Sequence, residues 1–270
     1  MERLIVIAGL EEQASNGGIL AGHKDRQRAT DTYRAAVTIY SEARRNLIET
    51  VFPRHYRVAI MGSARLDEST PEYAFIKDLS YALVTKTGCD IVTGGGPGIM
   101  EAAAQGGLLA RRDAEKKGRI VNSRNVGVRI EVPFEEKLSP SLDQHSLHSG
   151  FSTRIDELYI SHAVYFGPGG VGTELELDTC LQAKQVEHLE KNFQMIIHPS
   201  WRRKLDEMRE RMYDRRVREG LRPLANESDF SQLVITDDIP HIVDIIDKSN
   251  ALWKVNFHSK VKREEQGKLF

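Results

Sequence analysis

Two glycine-rich segments contain the residues of this sequence that are best suited to chemistry. The first runs over residues 93–101 as Thr-Gly-Gly-Gly-Pro-Gly-Ile-Met-Glu, and the second over residues 167–173 as Gly-Pro-Gly-Gly-Val-Gly-Thr. Glycine lets the main chain turn sharply and lets a ligand approach it closely. Free N–H groups at the start of a helix, with the positive end of its dipole, favour an anion such as phosphate. The segments predict a phosphate site, or alternatively two tight turns.

Carboxylates follow the second segment at once. Glu174 and Asp178 would share one face of a helix, whereas Glu176 would point elsewhere. One interpretation is that an acid faces a pocket and handles a proton or a developing positive charge. The other is that acids in a first helical turn only complement the helix dipole. Arg154 precedes the strand leading into this segment, where it could clamp a phosphate or lie on the surface.

Neither segment fits the commoner nucleotide-binding signatures. A P-loop requires Lys after its last glycine, and here Thr173 follows Gly172. The dinucleotide fingerprint requires a third glycine where Ile99 stands. ATP hydrolysis and nicotinamide chemistry are therefore disfavoured. His145 and His148 lack a Glu or Cys partner at metal-ligand spacing, which disfavours a metal site.

The elements that must position these residues alternate between short apolar runs and stretches with helical spacing. This pattern is typical of an α/β fold: a Rossmann-like open parallel sheet with helices on both faces. Ligands of such sheets bind beyond the carboxyl ends of the strands, where both glycine segments lie. The predicted strands cover residues 58–62, 90–93, 126–132, 163–166, 193–198 and 233–236. The predicted helices cover residues 71–86, 99–112, 153–161, 174–191, 201–218 and 239–249, and residues 133–149 are predicted to form a polar loop.

Three regions are expected along the chain. Residues 1–55 form an N-terminal helical extension, with a helix over Asp25–Val51 that Pro53 ends. Residues 56–250 form the Rossmann-like nucleotide-binding domain. Residues 251–270 form a lysine-containing mobile or docking tail.

The composition is that of an ordinary globular chain. Of 270 residues, 40% are hydrophobic and 29% are charged, which provides a core and excludes wholesale disorder. Lys and Arg number 38 against 39 Asp and Glu, so no overall attraction to nucleic acid or an anionic membrane follows. Two cysteines exclude a disulfide scaffold and a cysteine-rich zinc site. Since no stretch approaches 18 consecutive apolar residues, we expect a cytoplasmic protein with neither membrane nor nucleic-acid partners.

Together the two segments resemble motifs of the LOG family, the cytokinin-activating nucleoside 5′-monophosphate phosphoribohydrolases. Residues 168–176, Pro-Gly-Gly-Val-Gly-Thr-Glu-Leu-Glu, match the family motif PGGxGTxxE at every fixed position. Residues 94–103 match GGGPGIMEAA, the form seen in longer bacterial relatives. Gly62 and Ser63 match the Gly-Ser that follows the first strand of the family. The resemblance covers roughly residues 57–250.

The resemblance implies hydrolysis of the N-glycosidic bond of a nucleoside 5′-monophosphate, AMP or a cytokinin-type nucleotide, releasing free base and ribose 5-phosphate. The catalytic Arg of the family maps to Arg154 and its catalytic Glu to Glu176, while Ile155 stands where the family has Lys. The resemblance requires neither metal nor redox cofactor, and it implies a homodimer or larger homo-oligomer. The expected substrate-binding residues are Gly62, Ser63, Gly95, Gly96, Gly98, Met100, Pro168, Gly169, Gly170, Gly172 and Thr173.

An alternative function stays open on the same fold. Some relatives, including a molybdenum-cofactor carrier, bind a phosphorylated ligand without cleaving a glycosidic bond. Ile155 in place of the family Lys supports this alternative, a non-catalytic binding or carrier protein for a nucleotide or another phosphorylated ligand.

Overall fold

The protein is described by a computed structural model that covers residues 27–36, 39, 55–132, 138–190 and 192–267. The chain divides into two compact units, Met1–Pro53 and Arg54–Phe270. In the first unit, residues 27–36 form helix α1. This helix lies within the one predicted over Asp25–Val51, and most of the rest of that prediction falls outside the described residues.

A parallel sheet forms the centre of the second unit. Within its described part, seven strands lie in the order β4-β3-β2-β1-β5-β6-β7. The predicted Rossmann-like open parallel sheet is thereby confirmed. Strands β2, β3 and β4 are added on one side of β1, and β5, β6 and β7 on the other. The topological switch point therefore lies between β1 and β5. The strands are β1 (Arg57–Met61), β2 (Asp90–Thr93), β3 (Asn125–Ile130), β4 (Gln144–His148), β5 (Ala163–Phe166), β6 (Gln194–Ile197) and β7 (Val234–Ile235).

The prediction of a polar loop over residues 133–149 is wrong for its last part, where residues Gln144–His148 form strand β4. It pairs with β3 in parallel, from Val126 opposite Gln144 to Ile130 opposite His148. This edge strand has no buried residue and therefore shows no apolar run. Its main chain alone supplies the pairing, which is why the residue pattern did not reveal it.

Helices connect the strands and end where local signals place them. Helix α2 begins after Thr70, whose side chain accepts a hydrogen bond from Tyr73 N, and it ends at Gly88, which has a φ of +67°. The stretch predicted as one helix over residues 201–218 contains a π-helical turn, Glu210–Asp214, between α6 and α7. The helices are α2 (Pro71–Thr87), α3 (Ile99–Lys116), α4 (Phe151–Leu158), α5 (Val171–Gln185), α6 (Arg202–Arg209), α7 (Arg215–Arg218), α8 (Ser228–Ser231) and α9 (Ile239–Gly267).

The last helix, α9, is longer than predicted. It was expected to end at Ser249 and to be followed by a tail over residues 251–270, yet it continues without a break to Gly267. No glycine or proline lies between Pro240 and Gly267, so nothing in this stretch stops a helix. None of the helices in the described ranges is long and apolar enough to cross a bilayer.

Helices cover both faces of the sheet. Alternate residues of β1 belong to two different apolar clusters: Val58 and Ile60 to one, Ala59 and Met61 to the other. The first cluster includes buried residues of α2, α3 and α9, and the second includes residues of α4, α5 and α6. Burial on both sides explains why the central strands read as continuous apolar runs.

Candidate functional site

The two glycine segments lie at the same edge of the sheet, as the parallel arrangement requires. They follow the carboxyl ends of β2 and β5, the two strands that flank β1. Ser63, just beyond β1, joins them through its main chain. Its N–H donates to the carbonyl of Pro168 (2.9 Å), and its carbonyl accepts from Ile99 N (3.0 Å). The structure therefore brings both predicted segments together around residues 62–63.

The first segment uses its glycines mainly for close packing. Gly95 and Gly98 have φ values of +73° and +69°. A Cβ on Gly98 would overlap the carbonyl oxygen of Ser63, and one on Gly62 would overlap the side chain of Ile99. Gly95 and Gly98 are also buried, as is Gly96 between them. Close packing, together with the positive φ of Gly95 and Gly98, therefore explains most of these glycines.

The second segment is open. Gly169, Gly170 and Gly172 are exposed, and a Cβ on Gly170 or Gly172 would meet nothing within 4 Å. Gly170 precedes the first residue of α5 without a side-chain cap. The buried Thr173 lies against Gly169, where a Cβ would overlap its side chain. This helix start thus presents main-chain N–H groups and a positive dipole end at the edge of the sheet, which favours an anion.

Arg154 and Glu176 form an ion pair beside the first segment. Arg154 Nη1 lies 2.7 Å from Glu176 Oε1, and Arg154 Nε donates to the carbonyl of Val128 (3.0 Å). A Cβ on Gly94 would lie 2.6 Å from Arg154 Nη2 and also 2.6 Å from Met100 Sδ. The guanidinium therefore links α4, β3 and α5 and rests against the first glycine segment.

The surroundings of Glu176 withdraw its carboxylate from water. Its side chain is 8% exposed and that of Arg154 is 12% exposed. Burial raises the pKa of Glu176, and this exceeds the lowering by the Arg154 charge and hydrogen bond. The Tyr159 hydroxyl also donates to the main-chain carbonyl of Glu176. A carboxyl group with a raised pKa and an arginine partner, at the carboxyl edge of the sheet, is a candidate for acid–base chemistry.

The neighbouring acids have a different role. Lys204 Nζ lies 2.7 Å from Glu174 Oε1 and 2.8 Å from Asp178 Oδ2, so both acids pair with α6 on a solvated face. They share one helix face, as their spacing indicated, and Glu176 is the acid that points inward. Ile155, at the position of the family Lys, is 7% exposed and packs in the second apolar cluster.

Sequence reasoning missed a polar cluster next to Arg154. His148 Nε2 lies 2.6 Å from Glu157 Oε2, and His148 Nδ1 lies 3.1 Å from Thr153 Oγ1. Thr153 and Glu157 are four residues apart in α4, a spacing that places them on one face. That spacing was a usable signal, but His148 belongs to the unrecognised strand β4.

Comparison with known proteins adds a fold likeness at low identity. No family model matches the chain, and no curated protein matches it. The molybdenum cofactor binding protein from the phototrophic bacterium Rippkaea orientalis is 18% identical, with a TM-score of 0.48 over 72% of this chain and 97% of that one. The Moco carrier protein from Chlamydomonas reinhardtii is 16% identical, with a TM-score of 0.49 over 73% of this chain and 99% of that one. At such identity the likeness concerns the arrangement of strands and helices, and not a ligand.

Proposed function

We propose that the carboxyl edge of the sheet binds a nucleoside 5′-monophosphate or a similar phosphorylated small molecule. The exposed segment from Gly169 to Gly172 supports this proposal, because it opens helix α5 without a side-chain cap. The phosphate would accept hydrogen bonds from the first main-chain N–H groups of α5 and lie at the positive end of its dipole. The sugar and base would then extend towards Gly94 and Arg154.

We further propose that Arg154 and Glu176 hydrolyse the N-glycosidic bond of the bound nucleotide. The observation that carries this proposal is their 2.7 Å ion pair, withdrawn from water beside the first glycine segment. Burying two charges is expensive, and an apolar pair of similar size often stabilises a protein equally well or better. A role in chemistry would explain why charges occupy this position.

The proposed reaction has balanced bonds and protons. The oxygen of a water molecule bonds to C1′ of the ribose while the C1′–N bond breaks, and the bonding electrons leave with the base. The base takes up one proton from solvent, and Glu176 returns to solvent the proton that it accepted from the water. Positive charge develops on the ribose as the bond breaks. Arg154 holds Oε1 of Glu176; we assign Oε2 to the ribose side, where it accepts the proton of the water and faces the developing charge. The products are free base and ribose 5-phosphate.

A second candidate function is a carrier or binding protein for a phosphorylated ligand, without cleavage. Two observations favour it: Glu176 is only 6% exposed, and Ile155 is buried where the family has Lys. A site with fewer charged groups facing the ligand suits binding better than turnover.

Base release from a panel of nucleoside monophosphates, followed by chromatography, tests the hydrolase. We expect free base from at least one substrate and a loss of about 100-fold or more in Glu176→Gln, since general acid–base groups contribute about that much. Glu174→Gln is the matched control, because Glu174 lies on the same helix and pairs with Lys204 instead; its turnover should be unchanged.

Calorimetry of the same nucleotides separates the two candidate functions. Binding without base release would overturn the hydrolase and support the carrier. Absence of both binding and release would overturn both proposals.

A further inference from the structure

We propose that His148 is a positioning residue, which holds helix α4 against strand β4 and thereby keeps Arg154 in place. His148 is the last residue of β4, at the carboxyl edge of the sheet, and α4 begins three residues later. The inference concerns the geometry of Arg154, and only its activity readout rests on the proposed function.

The imidazole of His148 is bound at both nitrogens by side chains of α4. Nε2 lies 2.6 Å from Glu157 Oε2, and Nδ1 lies 3.1 Å from Thr153 Oγ1. The His148 and Glu157 side chains are 16% and 13% exposed, so water competes little for either group. The main chain of His148 is fixed as well, because its carbonyl accepts from Glu131 N at 2.8 Å.

The hydrogen-bond inventory fixes the direction of the Glu157 contact. As a carboxylate, Glu157 can only accept, so His148 Nε2 carries a hydrogen and donates it to Glu157 Oε2. A hydrogen bond to a carboxylate is charge-assisted and stronger than one between two neutral groups. Thr153 Oγ1, next to His148 Nδ1, also donates to the carbonyl of Gly150 (3.1 Å).

Two residues that contact His148 lie on either side of Arg154 in the sequence of α4. Thr153 precedes Arg154 by one residue and Glu157 follows it by three. The carbonyl of Gly150 accepts from both Thr153 Oγ1 and Arg154 N, which ties the first turn of α4 to the same cluster. From this fixed turn the Arg154 side chain reaches Val128 and Glu176. A shift of α4 away from β4 would therefore break the Arg154 contacts.

Hydrogen exchange of the Arg154 Nε–H, measured by NMR, tests the proposal without any ligand. In the wild-type protein this group is bonded to Val128 O and should exchange slowly; the signal is assigned by its loss in Arg154→Lys. We expect His148→Ala to speed its exchange about tenfold or more by local opening. His148→Gln retains an amide donor for Glu157 and should restore part of the protection.

The matched control is His145→Ala, because His145 is an exposed histidine on the same strand; exchange of the Arg154 Nε–H should not change. Unchanged exchange in folded His148→Ala would overturn the proposal. If His148→Ala does not fold, Glu157→Ala gives the same decision, since it removes the hydrogen-bond partner of His148 Nε2.

A double-mutant cycle in base release then shows whether His148 acts through Arg154. We expect His148→Ala to lower turnover about tenfold or more in the wild-type background and to cause no further loss in Arg154→Ala. Equal losses in both backgrounds would overturn the positioning role. If the wild-type protein releases no base, the proposed function fails, and the exchange measurement still decides the role of His148.

Discussion

Removing one partner of the Arg154–Glu176 ion pair should destabilise the protein more than removing both. With side chains 12% and 8% exposed, neither charge can regain water when its partner is lost. Arg154→Met should therefore lower the free energy of unfolding by about 3–5 kcal/mol, the usual effect of leaving a buried charge unpaired. For a unit of about this size, that loss corresponds to a fall in Tm of roughly 6–20 °C.

The combined variant Arg154→Met with Glu176→Leu replaces the pair by two apolar side chains. Such exchanges range from neutral to about 4 kcal/mol more stable. Arg154 also donates to Val128 O, and loss of this bond would subtract about 1 kcal/mol. The expected combined change therefore lies near zero or on the stabilising side, with any base release abolished.

Urea unfolding followed by tryptophan fluorescence measures these changes, because both tryptophans, Trp201 and Trp253, lie in the second unit. The Arg154→Met loss should also shrink at lower pH. In Arg154→Met, burial still raises the pKa of Glu176, and no arginine charge opposes it. As the pH falls, Glu176 is therefore protonated in the folded protein at a higher pH than in the unfolded protein, which stabilises the folded protein. A combined variant as unstable as either single one would show that the pair serves stability, and the argument for chemistry would lose its main support.

Two further perturbations probe the turns and the core. Gly98→Ala should lower the free energy of unfolding by about 2 kcal/mol or more, through its positive φ and overlap with Ser63; Gly88→Ala, with a φ of +67° but open space around it, should lower it by only about 1 kcal/mol. Thermal unfolding of both variants checks this, and equal losses would contradict the proposed overlap. Burial lowers the pKa of His162 to about 4, so its stabilising contribution is complete above pH ~6.5 and is lost at ~1.4 kcal/mol per pH unit as pH falls towards 4. His162→Asn should flatten this decline in urea unfolding between pH 7 and pH 5; an identical slope in both proteins would refute it.

The centre of the fold could be predicted because its strands are buried on both faces. Residues 90–93 and 163–166 have the bounds predicted from their apolar runs. The edge strand β4 and the extension of α9 could not be recognised in this way. Pairing at an edge depends on the main chain of β3, and α9 continues simply because no residue stops it.

The candidate site was predictable at the level of segments and not of contacts. Parallel strands place their carboxyl ends at one edge, so two glycine segments after two such strands had to lie together. The inward position of Glu176 depends on how α5 packs on the sheet. The pairing of Glu174 with Lys204 and of Arg154 with Val128 O joins residues that are distant in sequence. Such partners follow from tertiary packing, which residue spacing does not encode.

The main chain of Ser63 holds the two glycine segments together, so their placement does not depend on the side chain at position 63. Both of its hydrogen bonds to the neighbouring loops use peptide groups, and the side chain takes part in neither. Replacing this serine by alanine, threonine or asparagine would keep the two loops in register. If the proposed ligand binds at this edge, the side chain at position 63 could change ligand preference without altering the main-chain hydrogen bonds that hold the two loops together.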